Sequence, residues 1–234
     1  MFLSMDSSNG YSNLLAADEN FNILSESISD FHEKHSVLIF KQLDEIVYKA
    51  GIKLTDLKGI AVILGPGSYT GIRVSLTIAK TLSYVLKTAV VGLGSLSVCA
   101  YRAAKENSGL EKIIAVCYAS KDRYYVSEFS SATKYFEGQI KTDLLNLEEI
   151  RLFLNAMKDK PLLAYGFNNE NDCSFIEDKL KKEVSGLLFL DLKDTPYFAA
   201  KYAIESYKIN SGKVFNEKYS EELSPYYVYG NGPF

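Results

Sequence analysis

Only two histidines occur in this chain, His32 and His35. They stand three apart, so on a helix they share a face. A metal site needs further ligands and groups that orient them. Glu33 projects from another face and Asp30 falls at a helix cap, so neither a metal nor another cofactor is expected. With both histidines in one turn, a Ser–His or Cys–His hydrolase has little to draw on. The three cysteines, Cys99, Cys117 and Cys173, lie in apolar settings and read as core side chains. Their odd number and wide spacing argue for reduced thiols, not a disulfide framework or a zinc knuckle.

The densest motif is Gly65-Pro66-Gly67-Ser68-Tyr69-Thr70-Gly71-Ile72-Arg73. A phosphate-cradling P-loop requires GxxxxGK[ST], and no lysine follows the second glycine corner here. A nucleophile elbow requires GxSxG, which is a different spacing. The amides that open the next helix could hold an anion, but capping by Ser68 or Thr70 is the simpler expectation. Asp6, at the end of the first apolar run, reads as a turn-capping residue.

The elements that position these residues follow from periodicity. Ile60–Leu64 is a continuous apolar run of strand length, as in a strand covered on both faces. Pro66 stops it, and the spacing predicts a helix from about Tyr69 to Lys87, roughly 30 Å long. Along that helix Gly71, Ser75, Ala79 and Ser83 recur every four residues as a stripe of small side chains. Such a stripe allows close approach of another helix. It packs either under a neighbouring helix of the same chain or against a second protein.

Composition narrows the function. The 234 residues carry a net charge of −3 and only four arginines, which argues against a broad electrostatic grip on nucleic acid. No apolar run approaches membrane-spanning length, and Asp6 interrupts the start before a signal-peptide core could form. A cytoplasmic protein is expected. In chain order, strands are predicted at Phe2–Met5, Tyr11–Ala17 and Phe21–Ser27, then a helix over about 31–50. After the 59–87 unit come a strand at Ala89–Val91 and a helix over about 95–105. The second half is expected to repeat strands at 113–118, 124–129 and about 134–140, a helix over 147–158, a strand at 162–165, a helix over 173–184, a strand at 187–190 and a closing helix over 196–210. The aromatic tail from Tyr219 is expected to lie extended against the body. Two lobes are expected, 1–106 and 107–234, with mixed sheets and packed helices.

The stretch GPGSYTGIRVSLTIAKTLSY, followed by Gly92-Leu93-Gly94-Ser95-Leu96, resembles the signature of the TsaB (YeaZ) family. Asp6-Ser7-Ser8, His35-Ser36 and Pro225-Tyr226-Tyr227-Val228 fall in matching order. The resemblance implies the two-lobed actin-like ATPase (sugar-kinase/actin/heat-shock-protein) architecture, each lobe ribonuclease-H-like. It implies a non-catalytic scaffold that binds a TsaD-type threonylcarbamoyltransferase, beside a TsaE-type ATPase, for threonylcarbamoyladenosine next to the tRNA anticodon. The tRNA would be met only indirectly. The family's helices matching about 31–50 and 68–87 dock TsaD or pair two copies as a homodimer. On that implication His35, Ile39, Gly71, Ser75, Leu76, Ala79, Leu82 and Ser83 are the partner-binding residues. Ser75→Leu is then expected to abolish docking and leave the fold intact.

The resemblance has gaps. Where the family has Asp-Ala-Arg with a nearby glutamate, this chain has Tyr118-Ala119-Ser120 and Arg123. Nucleotide binding in the superfamily uses an aspartate–glycine turn, which Asp6 and Gly10 could supply, and a second glycine-rich turn. The only match to the latter, Tyr165-Gly166-Phe167-Asn168, has one glycine between aromatics that would crowd a phosphate. The rival reading is an independent ATPase, phosphotransferase or M22-type metallopeptidase of the same fold.

Overall fold

The computed structural model describes residues 1–29, 35–107, 111–130, 141–167, 171–209 and 223–228. The chain opens as a meander: β1 (Phe2–Asp6) pairs antiparallel with β2 (Asn13–Ala17), and β2 with β3 (Ile23–Ile28). Helix α1 (His35–Ala50) crosses to β4 (Gly59–Gly65), which lies parallel to β1. Helix α2 (Tyr69–Leu86) then leads to β5 (Ala89–Gly94), parallel to β4. The sheet order is β3-β2-β1-β4-β5.

Every residue of β4 is buried because both faces of this sheet are covered. On one face Leu3, Met5, Val62 and Leu64 meet Ile39, Leu43 and Ile46 of α1 and Leu76 and Ala79 of α2. On the other, Phe2, Leu15 and Ala17 meet Ala200 and Ile204 of the last helix, α6 (Thr195–Ile209), with Tyr197 and Tyr207 beside them. Positions 197, 200, 204 and 207 keep the three- and four-residue spacing of one helical face. Rings lock that face down: Phe2 meets Tyr207 edge-on at 5.2 Å and Phe21 meets Tyr197 at 4.7 Å.

The second sheet repeats the first. After α3 (Ser95–Glu106) come β6 (Lys112–Ser120), β7 (Arg123–Ser130) and β8 (Asp143–Leu145), then α4 (Leu147–Asn155), β9 (Leu162–Phe167), α5 (Asn171–Leu180) and β10 (Gly186–Asp191). Its order is β10-β9-β6-β7-β8, which read from the other edge is the first sheet's order. Lys121 and Asp122 both take positive φ, 46° and 61°, the two-residue turn that suits a twisted hairpin. Ile114, Val116, Leu163 and Tyr165 pack beneath Ile150 and Leu154 of α4 and Ile176 and Leu180 of α5.

The unit boundary and some element ends differ from expectation. The chain divides into Met1–Ser95 with Lys193–Tyr226, and Leu96–Leu192 with the residues from Tyr227 on. A cut at 106/107 misplaces α6, whose apolar face belongs to the first sheet, and most of α3, which goes with the second. The strand expected at about 134–140 lies outside the described residues; the strand on that edge is Asp143–Leu145. The helix expected over 173–184 ends at Leu180, and Val184 is buried in the turn after it.

Candidate docking face and the polar junction behind it

Strands β1, β4 and β5 run parallel, so their C-terminal ends gather at one edge of the first sheet. In open α/β sheets that edge is where ligands are held. Here it is filled by the chain's own polar groups. Ser7 Oγ donates to Gly71 O at 2.6 Å, and the Ser68 amide donates to Ser8 O at 2.6 Å. Ser95 Oγ donates to Pro66 O at 2.9 Å and lies 3.4 Å from Ser8 Oγ. The Asp6 carboxylate accepts from the Ser8 amide at 2.7 Å and from Asn9 Nδ2 at 3.0 Å. Burial pushes the Asp6 carboxyl up to about 6, against the Ser8 hydrogen bonds that pull it down.

The close fit explains the glycines of the motif. A Cβ at Gly67 would fall on Ser8 O, and one at Gly71 on Ser7 O, both well inside the 3.0 Å that real Cβ atoms respect. Gly65 takes φ 104°, which favours glycine. The Gly65–Pro66 peptide is cis. Ser68, one of the two caps expected, accepts from the Gly71 amide at 3.2 Å.

The stripe of small residues faces inward. Gly71, Ser75, Ala79 and Ser83 are all buried within the first unit. Ser75 Oγ bonds back to Ile72 O at 3.2 Å, and Ser83 Oγ donates to Thr88 O at 2.5 Å. Ile39 and Leu76 are core residues as well, and Leu82 packs half-buried against them. Gly71 lies against the turn after β1, and Ala79 in the core that the helices share with the sheet. The buried residues Ile39, Gly71, Ser75, Leu76, Ala79 and Ser83 lie beneath the helix pair. His35 opens α1, but its side chain, like all of His32, lies outside the described residues.

Other residues form the outward surface. On α1, Phe40 and Tyr48 are 57% and 87% exposed and lie two turns apart with Asp44 between them. On α2 the exposed row is Tyr69, Arg73, Thr77, Thr81 and Tyr84, with Val85 beside it. The Arg73 guanidinium sits 3.8 Å above the Tyr69 ring, and Lys87 Nζ 4.7 Å from the Tyr84 ring. Aromatic rings and a stacked arginine are the side chains that enrich protein interfaces. The positions could be read from four-residue spacing, but two amphipathic rows on one helix leave open which one faces out.

Gln42 is a further residue that spacing did not single out. It is buried in α1, accepts from Ser12 Oγ at 2.7 Å and donates to Ser12 O at 2.7 Å and Ser27 O at 3.2 Å. It therefore ties α1 to the ends of β2 and β3. Its only signal was an amide between Ile39 and Leu43 on an otherwise apolar face. In the second unit, Arg123 Nη1 pairs with Glu149 Oε2 at 2.9 Å. Glu149 and Asn146 form the capping box of α4, so Arg123 braces a helix start. Among the described residues no three His, Cys, Asp or Glu side chains gather as metal ligands, and no helix is long and apolar enough to cross a membrane.

Two five-stranded sheets with the same 3-2-1-4-5 order, each flanked by helices, define the two-lobed actin-like ATPase and sugar-kinase class of fold. The family model for TsaD, tRNA N6-adenosine threonylcarbamoyltransferase, matches residues 23–179. Two relatives named tRNA threonylcarbamoyladenosine biosynthesis protein TsaB are similar. That of Bacillus subtilis is 28% identical, over 76% of this chain and 76% of its own. That of Buchnera aphidicola subsp. Schizaphis graminum is 27% identical, over 63% and 72%. A crystal structure of a Pseudomonas aeruginosa protein described as similar to the peptidase YeaZ superposes with a TM-score of 0.71. It is 18% identical and covers 97% of this chain and 99% of its own, so it speaks for the fold. The chain belongs to the TsaD family, on its TsaB (YeaZ) branch.

Proposed function

We propose that this protein is a non-catalytic docking subunit in the biosynthesis of threonylcarbamoyladenosine in tRNA, and that it binds a TsaD-type threonylcarbamoyltransferase through α1 and α2. The observation that carries this reading is the outward surface of those helices. Phe40, Tyr48, Tyr69, Tyr84 and Val85 are exposed on elements whose opposite faces are fully packed. Aromatic anchors on a rigid helix pair offer large contact area at little entropic cost. The partner-binding set therefore shifts to these outward residues, with half-buried Leu82 between them and the buried row as their foundation. The same face serves a homodimer when the partner is absent, and the tRNA and a TsaE-type ATPase are met through the assembly.

The inert role is supported by the junction at the strand ends. Ser7, Ser8, Ser68 and Ser95 spend their polar groups on one another and on backbone, and the two turns touch. The experiment is co-purification with the TsaD homologue of the same organism, with complex mass read by light scattering. A stable complex and an inert lone chain are expected. Nucleotide turnover by the lone chain, without a complex, would replace this reading with that of an independent enzyme.

A further inference from the structure

Residues 223–226 belong to the first unit and, far along the sequence from it, land on the turn that starts α2. Leu223 is buried in the core shared by α1, α2 and the sheet, and Tyr226 packs half-buried against that core. The Tyr226 amide donates to Leu64 O at 2.7 Å, next to Gly65, the last residue of β4. A Cβ built on Gly65 would meet Ile72 Cδ1 and Tyr226 O, each at 2.7 Å. Gly65 is thus held between the first turn of α2 and the tail backbone. At Gly92, a Cβ would meet Leu64 Cδ1 at 2.5 Å and Leu223 Cδ2 at 2.8 Å. Both glycines leave the space through which the tail passes.

We infer that Leu223–Tyr226 is a fastener for the docking helix. By clamping Gly65 against Ile72, it fixes where β4 ends and in which direction α2 leaves, and so positions the row from Tyr69 to Tyr84. Four observations converge on it: a buried apolar anchor, a backbone hydrogen bond, and two glycines cleared for its path. The segment is a positioning element, because its contacts are with the turn and core and not with the outward row. The inference rests on the docking reading for its consequence, but the fastening itself does not.

The test uses the full-length chain with two substitutions made separately. Leu223→Asp removes the apolar anchor, and Tyr226→Pro removes the amide donor. Hydrogen–deuterium exchange is read in peptides covering 59–72 and 112–130, and affinity for the TsaD-type partner is measured alongside. The fastener predicts roughly tenfold faster exchange over 64–72, the scale of one lost buried hydrogen bond, with 112–130 unchanged. It also predicts roughly tenfold weaker partner binding, as a misdirected helix presents its anchors poorly. Unchanged exchange over 64–72 in both variants would overturn the inference. Faster exchange in both regions would overturn it too, because the segment would then be general core. Faster exchange confined to 64–72 with full affinity would remove the positioning role and leave the docking reading intact. If the unaltered chain binds no TsaD-type partner, the docking reading fails while the exchange data still judge the fastener.

Discussion

Ser7 and Gly71 meet twice: the Ser7 hydroxyl donates to the Gly71 carbonyl at 2.6 Å, and the Ser7 carbonyl oxygen occupies the place a Cβ on Gly71 would take. The turn after β1 and the first turn of α2 are therefore one unit, and each fixes the other. Gly71→Ala is expected to lower the free energy of unfolding by roughly 3 kcal/mol through overpacking against backbone. Gly51 is the contrast, with φ 64° but nothing within 4 Å of a built Cβ. Gly51→Ala should cost only about 1 kcal/mol of backbone strain. Urea unfolding of the two variants checks the pair, and equal losses would contradict the close contact.

Burial separates two rows of α2 that sequence spacing treats alike. Ser75 is buried with its hydroxyl bonded to its own helix, whereas Tyr84 is 74% exposed. Ser75→Leu should destabilise the fold by about 1–3 kcal/mol or more, in place of the intact fold expected from sequence. Tyr84→Asp should change stability by less than about 0.5 kcal/mol and weaken partner binding. Thermal unfolding beside a binding isotherm distinguishes them, and a stable Ser75→Leu variant would count against this packing.

Asp6 gives the protein a pH dependence of definite sign. Its folded value, about 6, lies above the ordinary carboxylate range because the group is buried. The folded state therefore holds the proton more tightly than the unfolded chain does. Stability falls as pH rises through the interval from about 4 to 6, and the full cost is present at neutral pH. Relative to an Asp6→Asn variant, the unaltered protein should gain on the order of 2–3 kcal/mol as pH falls from 7 to 4. A difference between the two proteins that stays flat over that range would show that Asp6 does not titrate there.

Gln42 serves three partners at once, so its loss should exceed that of an ordinary hydrogen bond. Gln42→Leu keeps the apolar volume but strands Ser12 Oγ and takes one donor each from the carbonyls of Ser12 and Ser27, the former keeping the Ser29 amide at 2.9 Å. The expected cost is roughly 2–4 kcal/mol, with faster hydrogen exchange at the α1–β2 contact. A neutral substitution would show that water replaces the amide.

Much of this protein is written in local sequence. The apolar run of β4, the Gly65-Pro66-Gly67 stop, the Ser68 cap and the end of α1 at Gly51 each follow from one residue type acting on its neighbours. So do the β6–β7 hairpin and the order of strands and helices, and the motif around Gly65 carries the family. Three things needed the tertiary structure. The helical period places Gly71, Ser75, Ala79 and Ser83 on one face, but only the sheet beneath α2 turns that face inward and leaves Tyr69 and Tyr84 outside. The apolar face of α6 suits either sheet, and only contact with Phe2, Leu15 and Ala17 assigns it to the first. Leu223 and Tyr226 sit more than a hundred residues from Gly65 and Gly92, and nothing local announces that they meet. Periodicity reports which side chains share a face; which face meets which is decided by burying apolar area across the whole chain.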